Sequence, residues 1–568
     1  MLILTTLNSQ YVHTNLALKY LRGVALKLGE PFVLMEFTIN ESPDEILWRI
    51  FQHRPEMVAF SCYIWNIQDT VKVMKNLRKV WPEVLMVVGG PEVSYDSQSF
   101  LDEHPYVDLV VRGEGEKTFE ELLTAWRAGS SMEGIAGLTW RRDREIIMNP
   151  DRPVFENLDL IPLAYGTENP AADGRIVYYE TSRGCPFNCS YCLSSTLRGV
   201  RFFTDERIKH EIKAMVTAGV GQVKFVDRSF NCRPERALEI MRFLAELPGQ
   251  TCFHFEIMAD LLDEETLKFL ATVKPGLFQF EIGVQSTNSE TLSKINRRQD
   301  LRRLAENLRV LQRIGNIRIH LDLIAGLPEE NMDSLVKSFN WTYGLKPDYL
   351  QLGFLKLLKG TAIRQQSEQG DYLFKDYPPY EVLSNRWLSF GEISFLKVVE
   401  DLLQKYYNSR VFSFTLKYCE ATVFPGNPFG FYQSLADYWI RKDLVGRSLK
   451  RERLYIFLFQ FLSGLEGTNS NEFRQLLILD FVINNRNLNI PTELERMQIE
   501  KQGTRIKGFL ADRERKMPGF RNRYRPRIEV FPLDILALAG ISLQEKESPY
   551  YLVLFTYDED VKLEYINL

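Results

Sequence analysis

The sequence predicts an α/β protein: an N-terminal doubly wound parallel sheet, a central partial (β/α)6 barrel, and a mostly helical C-terminal domain. Three observations carry this. Short apolar runs alternate with helical stripes over residues 1–150. The alternation resumes over 175–400. Three of the seven cysteines fall within Cys185–Cys192, just after the first strand of that second series. At 568 residues the chain is too long for one core, so several domains are expected.

Composition narrows the class. With 45% hydrophobic and 25% charged residues the chain reads as globular. A net charge of −4 gives no general attraction to nucleic acid or membrane. The longest apolar run, near Leu454–Leu465, is broken by Gln460 and too short for a bilayer. Leu2-Ile3-Leu4 starts a strand with no signal-peptide pattern, and Cys62, Cys232, Cys252 and Cys419 are scattered as in a reducing compartment. A cytoplasmic location is expected.

In the first domain, Leu2–Thr5, Phe32–Phe37, Met57–Ser61, Val84–Val88 and Val107–Val111 read as strands. Leu16, Ala17, Tyr20, Leu21, Val24 and Leu28 form a helical stripe between the first two. Ligands on such sheets sit beyond the carboxyl ends of the strands. Those ends are Asn8-Ser9-Gln10-Tyr11, Ser61-Cys62-Tyr63, Gly89-Gly90-Pro91-Glu92 and Arg112-Gly113-Glu114-Gly115-Glu116. No G-x-G-x-x-G follows the first strand, which argues against a dinucleotide. Leu138–Ile147 reads as a hairpin and 151–174, rich in Pro and Gly, as a linker.

In the second domain, strands are expected at Ile176–Glu180, Val223–Asp227, Phe253–Met258, Leu277–Ile282, Arg318–Leu323 and Tyr349–Phe354. Helices near Pro234–Leu244, Leu301–Ile314 and Met332–Trp341 separate them. In such barrels chemistry sits at the carboxyl ends of the strands. His254 and His320, on strands, read as wall residues. His13, at a helix start, reads as a capping or surface residue.

The stretch Arg183-Gly184-Cys185-Pro186-Phe187-Asn188-Cys189-Ser190-Tyr191-Cys192 stands apart. A disulfide would leave one thiol over, and a zinc knuckle would need His210 or Cys232 as a further ligand. Three thiolates on one short loop suit a cubane iron–sulfur cluster with one iron left open. The spacing C-x3-C-x-aromatic-C resembles the cluster loop of the radical S-adenosylmethionine (radical SAM) superfamily. The resemblance implies a [4Fe-4S] cluster on Cys185, Cys189 and Cys192, and S-adenosylmethionine cleaved reductively to a 5′-deoxyadenosyl radical. It places Tyr191 near the adenine. Asp227 in F-V-D-R-S-F, Glu281, Gln285 and Ser286 in F-E-I-G-V-Q-S, and Asp322 in H-L-D-L-I-A-G resemble the cofactor-contact segments of that superfamily. Gly360-Thr361 fits its last strand.

The V-G-G-P pattern after the fourth strand and R-G-E-G-E after the fifth resemble the cobalamin-binding domain fused upstream of many such enzymes. That implies cobalamin held by Asn8, Tyr11, Ser61, Gly89, Gly90, Pro91, Gly113 and Glu114. The D-x-H-x-x-G signature is absent, so no protein histidine is expected beneath the corrin. The class implied is a cobalamin-dependent radical SAM enzyme that methylates an unactivated carbon of an unspecified substrate. It would draw electrons from a partner such as flavodoxin or ferredoxin. Radical rearrangement, RNA modification and a cobalamin- or redox-responsive binding protein are the alternatives.

Over 401–568 the signals thin. Two aromatic-rich helical patterns fall in Leu435–Leu465 and another in Asn471–Val482; Ile528–Phe531 and Tyr551–Thr556 read as strands. Between Arg505 and Arg527 lie Lys507, Arg513, Arg515, Lys516, Arg521, Arg523 and Arg525, diluted by Asp512 and Glu514. This stretch reads as a solvated face or as an anion or RNA surface. The domain resembles the uncharacterised extension of some cobalamin-dependent radical SAM proteins.

Overall fold

The computed structural model describes residues 1–166, 169–196, 199–494, 503–532, 534–541, 551–557 and 561–566. The side chain of Arg505, at the edge of the basic stretch, lies outside them. The chain forms two compact units, residues 1–338 with 351–393, and residues 339–350 with 394–568.

The first unit is built on two large sheets. Strands β1 (Leu2–Asn8), β2 (Phe32–Thr38), β3 (Met57–Ser61), β4 (Leu85–Gly89) and β5 (Leu109–Val111) are parallel. The hairpin β6 (Leu138–Arg142) and β7 (Glu145–Met148) adds antiparallel, giving the order β2-β1-β3-β4-β5-β6-β7. Because the strands are covered on both faces, they read as near-continuous apolar runs. Ile3, Leu7, Val58 and Phe60 face one core, and Leu2, Leu4, Met57 and Ala59 the other.

Strand β8 (Val177–Tyr179) opens the second sheet and leads into β9 (Ser182–Gly184), which pairs antiparallel with β10 (Val200–Phe202). Then follow β11 (Gln222–Phe225), β12 (Cys252–Glu256), β13 (Phe278–Gln285), β14 (Arg318–Ala325) and β15 (Tyr349–Phe354). The order β15-β14-β13-β12-β11-β8 is that of the expected six-stranded partial barrel. Period-two alternation decides its faces. Phe225, Phe253, Phe255, Phe278 and Phe280 are fully buried on one face. The intervening residues Lys224, His254, Glu281 and His320 face the lumen, where they meet one another. β13 runs three residues further than expected, through a register shift at Gly283 and Gln285 that leaves Gln285 at φ +69°.

In the second unit, helices Ser413–Thr422, Pro428–Arg441, Arg451–Ser463 and Ser470–Asn484 bury Tyr406, Tyr432, Trp439 and Tyr455. A three-stranded antiparallel meander, Arg527–Phe531, Tyr551–Tyr557 and Val561–Ile566, follows the helix Gly503–Lys516. The third strand of that meander was not expected from the sequence.

Candidate functional site

The three thiols sit on the loop leaving β9. Gly184 at φ +96° starts it, and a Cβ there would strike the Gly199 carbonyl across the hairpin, so only glycine closes this turn. The loop is tied down on both sides. Ser190 N donates to Ile295 O at 3.0 Å and Ile363 N to Ser190 O at 3.0 Å. Ser195 Oγ donates to Cys192 O at 2.6 Å.

Among the described residues no three metal-ligating side chains close around a common point. The donor set nonetheless suits a cluster: Cys185, Cys189 and Cys192 are free thiols, near enough to act on one another electrostatically. Burial, with the neighbouring thiols, pushes Cys185 up to about 11. Cys232 adds to that push, so the fold brings a fourth thiol nearby that is 40 residues away in the chain.

The sequence-predicted S-adenosylmethionine residues divide into three kinds. Asp227 is fully buried and accepts from Thr181 N (2.9 Å), Thr181 Oγ1 (2.7 Å) and Ser182 Oγ (2.5 Å). Both its oxygens are spent on the start of β9, so it fixes the cluster hairpin rather than offering itself to a ribose. Burial raises its pKa against those hydrogen bonds. Ser286, also fully buried, donates to Glu330 at 2.5 Å and accepts from Asn288 N at 3.0 Å, which shapes the turn after β13.

Glu281 lies in the lumen, 2.9 Å from Lys224 Nζ and 2.9 Å from His254 Nε2. Burial pushes its pKa up, but His254 and Lys224 together hold it well below the carboxylate range. Two residues keep capacity for a ligand. Gln285 Oε1 is buried with no hydrogen-bond partner, and Asp322 Oδ1 lies 3.0 Å from His320 Nε2 without hydrogen-bond geometry.

Arg297, which sequence reasoning missed, meets the cluster loop directly. It contacts Cys189 Sγ at 3.9 Å and Tyr191 Oη at 3.5 Å, donates to Gly283 O, and is steadied by Gln299 at 2.8 Å. Arg228, at the end of β11, is exposed and acts electrostatically on Glu256 and on Tyr63 of the first sheet. Neither gave a sequence signal beyond being a lone arginine.

The strand ends of the first sheet face this mouth. Asn8 Nδ2 is spent on His13 O (3.0 Å) and Glu36 (2.9 Å), and Ser61 O accepts from Thr6 and Asn66. Tyr11 is 63% exposed beneath the Arg175 guanidinium. Gly90 sits at φ +106°, where a Cβ would come within 2.5 Å of Cys62 O, so β3 and β4 end in backbone contact. Gly89 and Pro91 flank it half-buried, and Gly113 is exposed at φ +70°. Tyr63 and Trp65 stack at 4.4 Å with Trp65 45% exposed, an aromatic rim absent from the expected site.

Glu114 does not stand open as a cobalamin contact. It is paired with Arg201 at 2.6 Å, near Arg183 at 3.8 Å, and accepts from Phe155 N at 2.9 Å. Glu116 pairs with Arg183 at 2.5 Å. The R-G-E-G-E turn thus grips the hairpin that carries the cysteines.

His13 completes the seam. Its Nδ1 is 2.7 Å from Tyr178 Oη; Ile176 N donates to Val12 O at 2.9 Å, and Thr14 Oγ1 to Ile176 O at 3.0 Å.

A thiol loop at the mouth of a parallel half barrel, braced by the strand ends of a doubly wound sheet, defines a cofactor-handling α/β enzyme scaffold. Residues 3–123 match the B12 binding domain, 179–342 the radical SAM superfamily and 368–554 DUF4080, a domain of unknown function. A segment similar to the radical SAM superfamily thus coincides with the barrel, with a B12-binding match ahead of it and a DUF4080 match behind it.

The chain is 31% identical over 332 residues to the cobalamin-dependent radical SAM methyltransferase TokK of Streptomyces tokunonensis, covering 55% of this chain and 47% of TokK. It thus spans about half of that relative's length. It is 25% identical over 376 residues to the anaerobic magnesium-protoporphyrin IX monomethyl ester cyclase of Cereibacter sphaeroides, covering 62% of this chain and 61% of the cyclase. The cobalamin-dependent S-adenosylmethionine radical enzyme OxsB, solved with aqua-cobalamin and S-adenosylmethionine, shares the fold at TM-score 0.57 and 15% identity, over 90% of this chain and 84% of that one.

Proposed function

We propose that this protein is a cobalamin-dependent radical SAM enzyme that methylates an unactivated carbon. One observation carries the reading: the loop of Cys185, Cys189 and Cys192 lies at the mouth of the half barrel while Glu114 and Glu116 of the B12-binding domain hold its hairpin. In this reading the three cysteines hold the [4Fe-4S] cluster. Gln285, Asp322, Tyr191 and Arg297 hold S-adenosylmethionine. The loops after β1, β3, β4 and β5, with Tyr63 and Trp65, hold cobalamin. When bound, these groups supply one-electron cleavage of a sulfonium S–C bond and a transferable methyl group.

The protein's own part is positional. Asp227 fixes the hairpin, Ser286 with Glu330 fixes the turn after β13, and the Lys224–Glu281–His254 triad keeps the lumen charged for a polar substrate. A one-electron donor such as flavodoxin or ferredoxin, a cytoplasmic location, and domain limits at residues 150, 174 and 400 belong to the same reading. No helix among the described residues is long and apolar enough to cross a membrane.

The test is anaerobic: protein produced with cobalamin, its cluster reconstituted, then reduced with methyl-labelled S-adenosylmethionine. Label on the corrinoid together with 5′-deoxyadenosine is expected, and Cys189→Ala should abolish the latter. A colourless protein, or zinc on the thiols, overturns the proposal. A second reading, radical chemistry without methyl transfer, is favoured by the similarity to the cyclase; 5′-deoxyadenosine with an unlabelled corrinoid would select it.

A further inference from the structure

The basic stretch of the C-terminal unit folds into a cleft, not a track. On the helix Gly503–Lys516 the described cationic side chains towards the C-terminal end are neutralised: Arg513 pairs with Glu564 at 2.5 Å, Lys516 with Asp512 at 2.7 Å, and Arg515 lies 3.7 Å from Asp512. Arg527 is structural. Its Nε donates to Glu529 at 2.7 Å, and its Nη1 to the carbonyls of Asn485 (3.2 Å), Arg486 (3.4 Å) and Leu488 (3.0 Å), beyond the end of helix Ser470–Asn484.

Among the other cations of this unit, three arginines converge on one hollow. Arg486, Arg521 and Arg525 line a cleft of about 410 Å³ together with Asn487, Leu510 and Pro526. Among the described residues none of the three has a carboxylate within 4.0 Å. The Arg486 guanidinium stands 5.6 Å from the Tyr557 ring centroid, which orients it without neutralising it. Glu514, which feels the Arg521 charge, accepts from Gly519 N and Arg521 N at 2.8 Å each and forms no ion pair with the Arg521 guanidinium.

Arg521 and Arg525 are four residues apart on the short helix Phe520–Tyr524 and its cap, so they share a side. Like charges at that spacing repel. Arg525 also takes the left-handed conformation, φ +40°, which disfavours any residue but glycine. Among the described residues the fold thus places three guanidinium groups, none in an ion pair, around one hollow, an arrangement an anion would offset.

We propose that this cleft binds a phosphate or pyrophosphate ester group. Planar guanidinium forks pair two oxygens at a time, and three such forks match the many oxygens of a pyrophosphate better than the two of a carboxylate. Leu510 and Pro526 give the ligand's carbon skeleton an apolar margin. An extended nucleic-acid backbone would need a row of unpaired cations, whereas the neighbouring helix has spent Arg513, Arg515 and Lys516 on its own carboxylates.

The test titrates the full-length protein with inorganic pyrophosphate at constant ionic strength, by calorimetry. Saturable binding is expected at one site. Arg486→Gln and Arg525→Gln should each weaken it about tenfold or more, since each removes charge-assisted hydrogen bonds. Arg513→Gln, whose guanidinium is already paired at the surface, should stay within about twofold. Unfolding midpoints verify that each variant is folded, and Arg525→Lys, retaining charge without the fork, should fall between wild type and Arg525→Gln. Absence of saturable binding, or binding unchanged in both cleft variants, overturns the proposal. So does an equal loss in Arg513→Gln, or a single-stranded RNA that displaces pyrophosphate in a steeply salt-sensitive way through Arg513 and Arg515, which would mark a nucleic-acid surface.

Discussion

The two faces of the barrel sheet are made by the same strands and share almost no chemistry. Outside, Phe225, Phe253, Phe255, Phe278 and Phe280 form a dry aromatic layer, with Phe225 and Phe255 stacked at 4.7 Å. Inside, one residue along, Lys224, His254, Glu281 and His320 form a charged wall. The outer layer supplies stability, which lets the inner wall hold ionised groups that contribute little net folding energy. Carboxylates obey the same division. Glu281 in the lumen has the Lys224 ammonium and a hydrogen bond with His254 beside it and stays ionised. Glu330, behind the end of β13, has only the Ser286 and Ser338 hydroxyls, and burial pushes it up to about 7.

The contrast can be broken most severely from outside. Phe255→Ala should cost about 3–5 kcal/mol of unfolding free energy, read by urea denaturation. Lys224→Met comes next, at about 2–3 kcal/mol, because it leaves Glu281 with His254 alone. The double variant Lys224→Met/Glu281→Met should lose less than the two single losses added.

Proton linkage separates the two acids by sign. Glu281, depressed below its usual 4.5, contributes stability above that pH that is lost as pH falls through its folded value; Glu281→Gln should flatten the acid limb. Glu330, raised to about 7, contributes stability that is full below 4.5 and is lost as pH rises towards 7. Stability should therefore decline over that window by up to roughly 3 kcal/mol, and Glu330→Gln should remove the decline. The smallest effect belongs to Tyr178→Phe, which deletes the His13 hydrogen bond and should cost about 1 kcal/mol.

Strand placement in the first two domains was legible because buried parallel strands are short apolar runs between helical stripes. The thiol loop was legible because three soft ligands in eight residues are rare outside metal and cluster sites. Side-chain duties were less so. Asp227 and Ser286 stand at strand ends, where cofactor contacts are expected, yet their oxygens are taken up by Thr181 and Ser182, and by Glu330 and Asn288. Glu114 was expected at cobalamin but answers to Arg201, 87 residues away. Arg297 and Glu330 act only through residues distant in sequence, which no local pattern encodes. Helices Phe390–Leu403 and Ser413–Thr422 escaped notice, although in the first Ile393, Leu396, Val399 and Leu402 recur at helical spacing and are buried. The strand Val561–Ile566 was missed although Val561, Leu563 and Tyr565 alternate with Lys562 and Glu564, the pattern of a half-buried strand.

The bonds that join Val12 and Thr14 to Ile176 have a mechanical consequence. A book-like hinge about the chain between the sheets would have to tear that stitching. One margin of the slot is therefore sewn shut, and its width there is set by peptide geometry rather than by whatever enters.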